Sequence, residues 1–134
     1  SAPYQEAEEA GRIDAFQDRV REYTGGEPKQ FARNAYDAMN TLGLAMQATV
    51  AAGDDVAPSN VAGNIRTVTD PADTVVTNYT DGAAALADAD ALDYRGLVGP
   101  IDFDGDGDIS APFSIQLADG GSWTEASVIP PNEL

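Results

Sequence analysis

Apolar positions recur at helical spacing through the first two thirds of the chain and at alternate positions after Tyr94. Ile13, Phe16, Val20 and Tyr23 are spaced 3, 4 and 3 apart, which places them on one face of a helix over residues 4–23. Glu6, Glu8 and Glu9 fall in its first turns, where negative charge complements the helix dipole. Thr24-Gly25-Gly26-Glu27-Pro28 ends it, with a glycine free to take the left-handed cap. A second helix is predicted over 30–51, with Phe31, Ala35, Ala38, Met39, Leu42, Ala45, Met46 and Thr49 as a continuous stripe. Apart from Phe31, that stripe is expected to be core. Gly53-Asp54-Asp55 reads as a turn. A short helix is expected near 58–67, with Pro58 at its first position and Val61, Ile65 and Val68 at helical spacing. Thr69-Asp70-Pro71 stops it. Val75 and Val76 fit a short strand or an extended loop. Thr80 or Asp81 is the expected cap of a last short helix through Ala89.

From Tyr94 the texture changes. Gly99-Pro100 breaks the chain, and Ile101 and Phe103 alternate as in a strand. Phe113, Ile115 and Leu117 repeat with period two. Asp119-Gly120-Gly121 is a hairpin turn signal, Trp123 to Ile129 forms the returning strand, and Pro130-Pro131 ends it. The expected fold is α/β in one segment over 1–134, helical over 4–89 with β hairpins over 94–129 as a C-terminal β meander. Several amphipathic helices then precede a small sheet. Apolar helix faces need a layer to cover, so the pattern looks like part of a larger α/β domain.

Composition narrows the chemistry. The chain has 134 residues, enough for one domain with a real core. It contains no Cys and no His, which removes thiol chemistry, imidazole bases and the common Zn, Cu and Fe sites. Any metal would be a hard, oxygen-ligated cation. Acidic residues number 23 against 7 basic ones, a net charge of −16, and Lys29 is the sole lysine. Such a field repels nucleic acid and anionic membrane surfaces. The acid-rich, lysine-poor composition resembles proteins of extreme halophiles, where salt near 1 M cuts the Debye length to roughly 3 Å. No apolar stretch approaches the roughly 20 residues of a membrane span. No signal peptide is visible, which fits a cytosolic protein or a piece from the interior of a secreted one.

The order of motifs carries a family likeness. Gly-Gly-Glu-Pro28 leads to Phe31 and Ala35-Tyr36-Asp37-Ala38-Met39. Asn64-Ile-Arg-Thr-Val-Thr-Asp-Pro71 follows, then Ala-Leu-x-Asp-x-Asp-Ala-Leu-Asp-Tyr-x-Gly96. Gly99-Pro100-Ile101-Asp102-Phe103-Asp104 and Gly107-Asp108-Ile109 close the run, with Pro112-Phe113 and Ile115 beyond. This resembles the C-terminal third of a type I periplasmic-binding-protein fold, in the branched-chain amino-acid receptor group of ABC importers. The Ala-Tyr-Asp-Ala helix start and the Gly-Pro…Phe-Asp…Gly-Asp hairpin over 99–108 are its most specific parts.

The resemblance implies a partial lobe of a two-lobed receptor whose cleft closes on a solute by hinge motion. It implies an extracellular or cell-surface protein, anchored to the membrane in its full form and partnered with a transporter permease. It also implies that Phe31, just before the Tyr-containing helix, lines the solute cleft; a helix-start packing role for Phe31 stays open beside this. Tyr36 reads as packing. The chain is much shorter than a complete receptor, so it is read as a fragment that does not bind an amino acid usefully by itself.

The aspartate run has a second reading. Asp102, Asp104, Asp106, Gly107 and Asp108 match the start of a calcium loop. The twelfth loop position falls on Phe113, where an EF-hand needs a bidentate Glu, and Pro112 is hostile to an exiting helix. A hairpin turn is preferred, with weak Ca, Mg or Na binding by Asp102, Asp104, Asp106 and Asp108 as the alternative. Ser110, Ser114 and Ser122 lack a His base and there is no phosphate loop, so no enzyme is expected. Asn78-Tyr79-Thr80 is a glycosylation sequon that matters only on export. The expected role is non-enzymatic capture of a branched-chain or related amino acid. The alternatives are an acidic calcium-binding module and the ligand-sensing domain of a receptor. Exposed apolar helix faces predict self-association.

Overall fold

Gly25, at φ 71°, takes the left-handed conformation that closes the first helix, α1 (Ala2–Thr24), and its amide donates to the Arg21 carbonyl at 2.9 Å. The computed structural model describes residues 2–109 and 113–129, with side chains from residue 9 onward except that of Phe113. Ser110, Pro112 and the Pro130-Pro131 stop lie outside the described residues. The chain divides into two compact units, Ser1–Ile101 and Asp102–Leu134. It is a mixed α/β chain, with helices followed by small sheets.

The first unit is organised around α2 (Ala32–Ala51), which packs against α3 (Pro58–Gly63), α4 (Ile65–Thr69) and α5 (Tyr79–Ala85). Leu44, Ala45, Val68, Leu92 and Tyr94 are completely buried at its centre. Gly82 of α5 lies against Leu44. A Cβ there would stand 2.6 Å from Leu44 Cδ2, so only glycine lets the two helices approach this closely.

The two faces of α2 reverse the expectation from hydropathy. Its buried residues are Asp37, Asn40, Thr41, Leu44, Ala45, Ala48 and Thr49. Ala45 and Thr49 alone of the expected stripe are buried; Ala35, Ala38, Met39, Leu42 and Met46 are exposed. The physical reason is that Asp37, Asn40 and Thr49 find partners for their polar groups, although the buried Thr41 hydroxyl has none among the described residues. Asn40 accepts from the Tyr79 amide at 3.0 Å and donates to the Tyr36 carbonyl at 2.9 Å, and Thr49 donates to the Ala45 carbonyl at 2.8 Å. A hydrogen-bonded polar group is cheap to bury. Met46 and Leu42 instead line an apolar hollow of about 440 Å³ shared with Val61 and Ile65.

Other boundaries also move. The first turn of α1 carries no acid, because the helix starts at Ala2. The helix expected over 58–67 is two short helices broken at Asn64. Asn78, not Thr80 or Asp81, caps α5: its side chain accepts from the Asp81 amide at 2.9 Å, and the helix ends at Ala85 rather than Ala89.

Val75–Val76 is a strand, β1, which pairs in parallel with β2 (Asp93–Gly96) across α5. The first strand and the helix of this β-α-β unit fall inside the stretch 4–89 expected to be helical, and β2 lies beyond it. β2 then turns back through Leu97 and Val98 to β3 (Gly99–Pro100), with Gly96 opposite Gly99. Ile101 follows β3 outside any strand, so the expected Ile101–Phe103 strand is not formed; Phe103 instead bridges Ile109 across the aspartate turn. The second unit holds the antiparallel pair β4 (Phe113–Asp119) and β5 (Ser122–Ile129). Gly120 and Gly121 turn it with φ values of 58° and 87°, the doubly positive pair that two-residue hairpins favour. The expected single meander is therefore two separate sheets, one of three short strands and one of two.

Candidate functional site

The start of α2 is where the chain departs most from ordinary local structure. Phe31, its N-cap, has φ 65° and ψ 7° and makes no side-chain capping bond. It is the one non-glycine residue with positive φ among the described residues. Holding an L-residue there costs about 1–2 kcal/mol. The residue is 68% exposed, so a role in packing at the helix start is not what the position provides. Tyr36, one turn further on, does pack: its ring lies 5.3 Å from that of Phe16, tilted by 59°.

Asp37 lies beside Tyr36 on the buried face and is 2% exposed. Its Oδ1 accepts from the Leu97 amide at 2.9 Å and from the Tyr94 hydroxyl at 3.0 Å; its Oδ2 accepts from the Val98 amide at 2.9 Å. The carboxylate thus takes three hydrogen bonds from one hairpin about sixty residues away. Gly96 makes room for it. A Cβ on Gly96 would stand 2.3 Å from Asp37 Cγ, so any side chain there would displace the carboxylate. Burial first, then the Asp37 charge and the hydrogen bond to it, push the Tyr94 hydroxyl well above the ordinary tyrosine range. Tyr94 therefore stays protonated and donates.

Asp37, Tyr94 and Gly96 all stand in the motifs that carry the family likeness, but the sequence assigns none of them a role. The signal was present: a charged residue on an apolar helix, and a glycine two positions after a buried-strand tyrosine. What hydropathy cannot supply is the partner, because the two ends lie so far apart in sequence.

The aspartates named from the sequence lie in the second unit and are exposed. Asp104 Oδ1 accepts from the amides of Asp106 at 2.9 Å and Asp108 at 3.0 Å, and its own amide donates to the Asp108 carbonyl at 2.8 Å. Gly107, at φ 89°, completes the turn. Among the described residues, no three acidic side chains converge on a point where a metal ion would sit. Phe31 and the Asp102–Asp108 run thus belong to different units. Among the described residues no helix is long and apolar enough to cross a membrane.

Comparison with family models, with curated proteins and with solved structures returned no match.

Proposed function

We propose that this chain is the C-terminal part of a non-enzymatic, extracellular solute-binding protein that captures a branched-chain or related amino acid for an ABC importer. One observation carries the reading. The Ala35-Tyr36-Asp37-Ala38 helix start, one of the two motifs most specific to the resemblance, is bound through Asp37 to Tyr94, Leu97 and Val98, the stretch that leads into Gly99-Pro100, where the second motif begins. Phe31 adds support, since an exposed aromatic ring held in a left-handed conformation suits a surface that receives a ligand. The acidic surface belongs to the same reading as an adaptation to high salt; the melting temperature is expected to rise between dilute buffer and molar NaCl.

The test uses the polypeptide that carries this segment in its own cell. Leucine, isoleucine and valine are screened by thermal shift, then titrated by calorimetry. The reading expects stabilisation by at least one of them, and a loss of roughly tenfold or more in affinity for Phe31→Ala. A receptor that no amino acid stabilises, or one indifferent to Phe31→Ala, would require a different function.

A further inference from the structure

A hollow of about 590 Å³ lies between α1 and the start of α2, with the β1–α5 loop and Leu97 closing it. Its chemistry runs against that of the chain. With 23 acidic residues against 7 basic ones, most surface patches carry carboxylates. This hollow is lined by two arginines, Arg12 and Arg19, and by no Asp or Glu. The helix supplies the pattern. Arg12, Phe16, Arg19 and Tyr23 are spaced 4, 3 and 4 apart, so cationic and aromatic side chains alternate along one face. Tyr36 and Asn78 stand on the opposite wall, and the packed pair Phe16–Tyr36 makes an aromatic floor.

Neither arginine is spent on a carboxylate among the described residues. Arg12 Nη1 donates to the Arg95 carbonyl at 3.1 Å, while its Nε is shut off from solvent and has no acceptor among the described residues. Asp18, one residue before Arg19, and Glu27, beyond the helix, both engage Arg21 at 2.8 Å instead of Arg19. Two guanidinium groups with no carboxylate partner among the described residues, lining a partly closed, aromatic-walled hollow, are the arrangement that a carboxylate completes. The volume lies within the range of small-molecule sites, which run from roughly 300 to 1,000 Å³.

We propose that this hollow binds a small organic monocarboxylate, its carboxylate held by Arg12 and Arg19 and its apolar body laid against Phe16, Tyr23 and Tyr36. A monoanion fits better than a phosphate. The net charge of −16 opposes a dianion more strongly, and the aromatic walls offer a phosphate nothing in exchange for its hydration. The inference does not rest on the importer reading and stands on the cavity alone.

The test uses the whole chain with phenylacetate as the probe and phenylacetamide and inorganic phosphate as comparisons, in buffered 1 M NaCl. Binding is read by saturation-transfer NMR and by titration of amide shifts. Phenylacetate is expected to bind about tenfold or more tighter than its amide, the difference that charge-assisted hydrogen bonds to the probe supply. Shifts are expected to centre on residues 12–24 and 36. Arg19→Gln, which changes an exposed side chain, is expected to weaken phenylacetate about tenfold and leave the amide unaffected. Equal binding of acid and amide, tighter binding of phosphate, shifts centred elsewhere, or no transfer to phenylacetate would each overturn the proposal.

Discussion

Asp37 and Asp104 perform the same chemistry in two different settings. Each carboxylate accepts two backbone amides two residues or fewer apart. Asp37 does so while buried, and its donors lie sixty residues on, with the Tyr94 hydroxyl as a third. Asp104 does so while exposed, and its donors are two and four residues on. Asp37 divides its amides between Oδ1 and Oδ2 while Asp104 takes both on Oδ1, and the consequences differ more than the geometry. A buried acceptor that loses its place leaves donors with no water to replace it, whereas water readily takes over at an exposed turn. Asp37 therefore ties α2 to the β2–β3 hairpin, and Asp104 shapes a local loop.

The contrast breaks most visibly at Asp37 itself. Asp37→Ala leaves two buried amides and a buried hydroxyl without an acceptor. A loss of about 3–5 kcal/mol is expected, from donors each costing about 1–3 kcal/mol when orphaned. Urea unfolding of the first unit measures it. Next comes Gly96→Ala, which sets a Cβ where the carboxylate stands. About 2–3 kcal/mol should be lost, and a Gly96→Ala, Asp37→Ala double variant should be clearly less than additive, because the two changes destroy one joint.

Tyr94→Phe is gentler, because the ring still fills the core. About 1 kcal/mol should be lost near neutral pH, and the pH profile should change as well. The hydroxyl is held protonated above its ordinary value of 10.0 in the native state. The native state then binds that proton more tightly than the unfolded state does. Its contribution is intact below about pH 10 and declines as pH rises beyond it. Stability followed across pH 9–11 should fall more steeply in the native chain than in Tyr94→Phe.

The exposed partner of the comparison should respond least. Asp104→Ala is expected to cost under about 1 kcal/mol, as surface changes usually do. Calcium should raise the melting temperature no more than magnesium at equal ionic strength, because the Asp104 carboxylate is already committed to backbone amides. A calcium-specific rise would revive the cation-site reading of Asp102, Asp104, Asp106 and Asp108.

The same contrast separates what the sequence could show from what it could not. Local signals were legible: Gly25 closing α1, Pro58 opening α3, and Gly120-Gly121 turning β4 into β5. Each depends on a conformational preference carried by one or two residues. Two valines fit both a short strand and an extended loop, so β1 is not legible by itself; its pairing with Asp93 and Tyr94 decides it. The orientation of α2 was misjudged for a deeper reason. Counting apolar residues selects the face of Met39, Leu42 and Met46, yet the face of Asp37, Asn40 and Thr49 is buried. Burial there depends on partners supplied by Tyr79, Tyr94, Leu97 and Val98, which no window along the helix contains. Phe31 was reached from the family resemblance. Its left-handed backbone could not have been read from the letter Phe, which avoids that region.

Amide hydrogen exchange by NMR at Leu97 and Val98, set beside Asp106 and Asp108, tests the joint most directly. If Asp37 binds the hairpin to α2, the amides of Leu97 and Val98 exchange only with unfolding of the first unit, and in Asp37→Asn they speed up by two orders of magnitude or more. The amides of Asp106 and Asp108 should exchange quickly in both proteins. Exchange at Leu97 and Val98 as fast as at Asp106 and Asp108 would contradict the joint, and would remove the observation on which the functional reading stands.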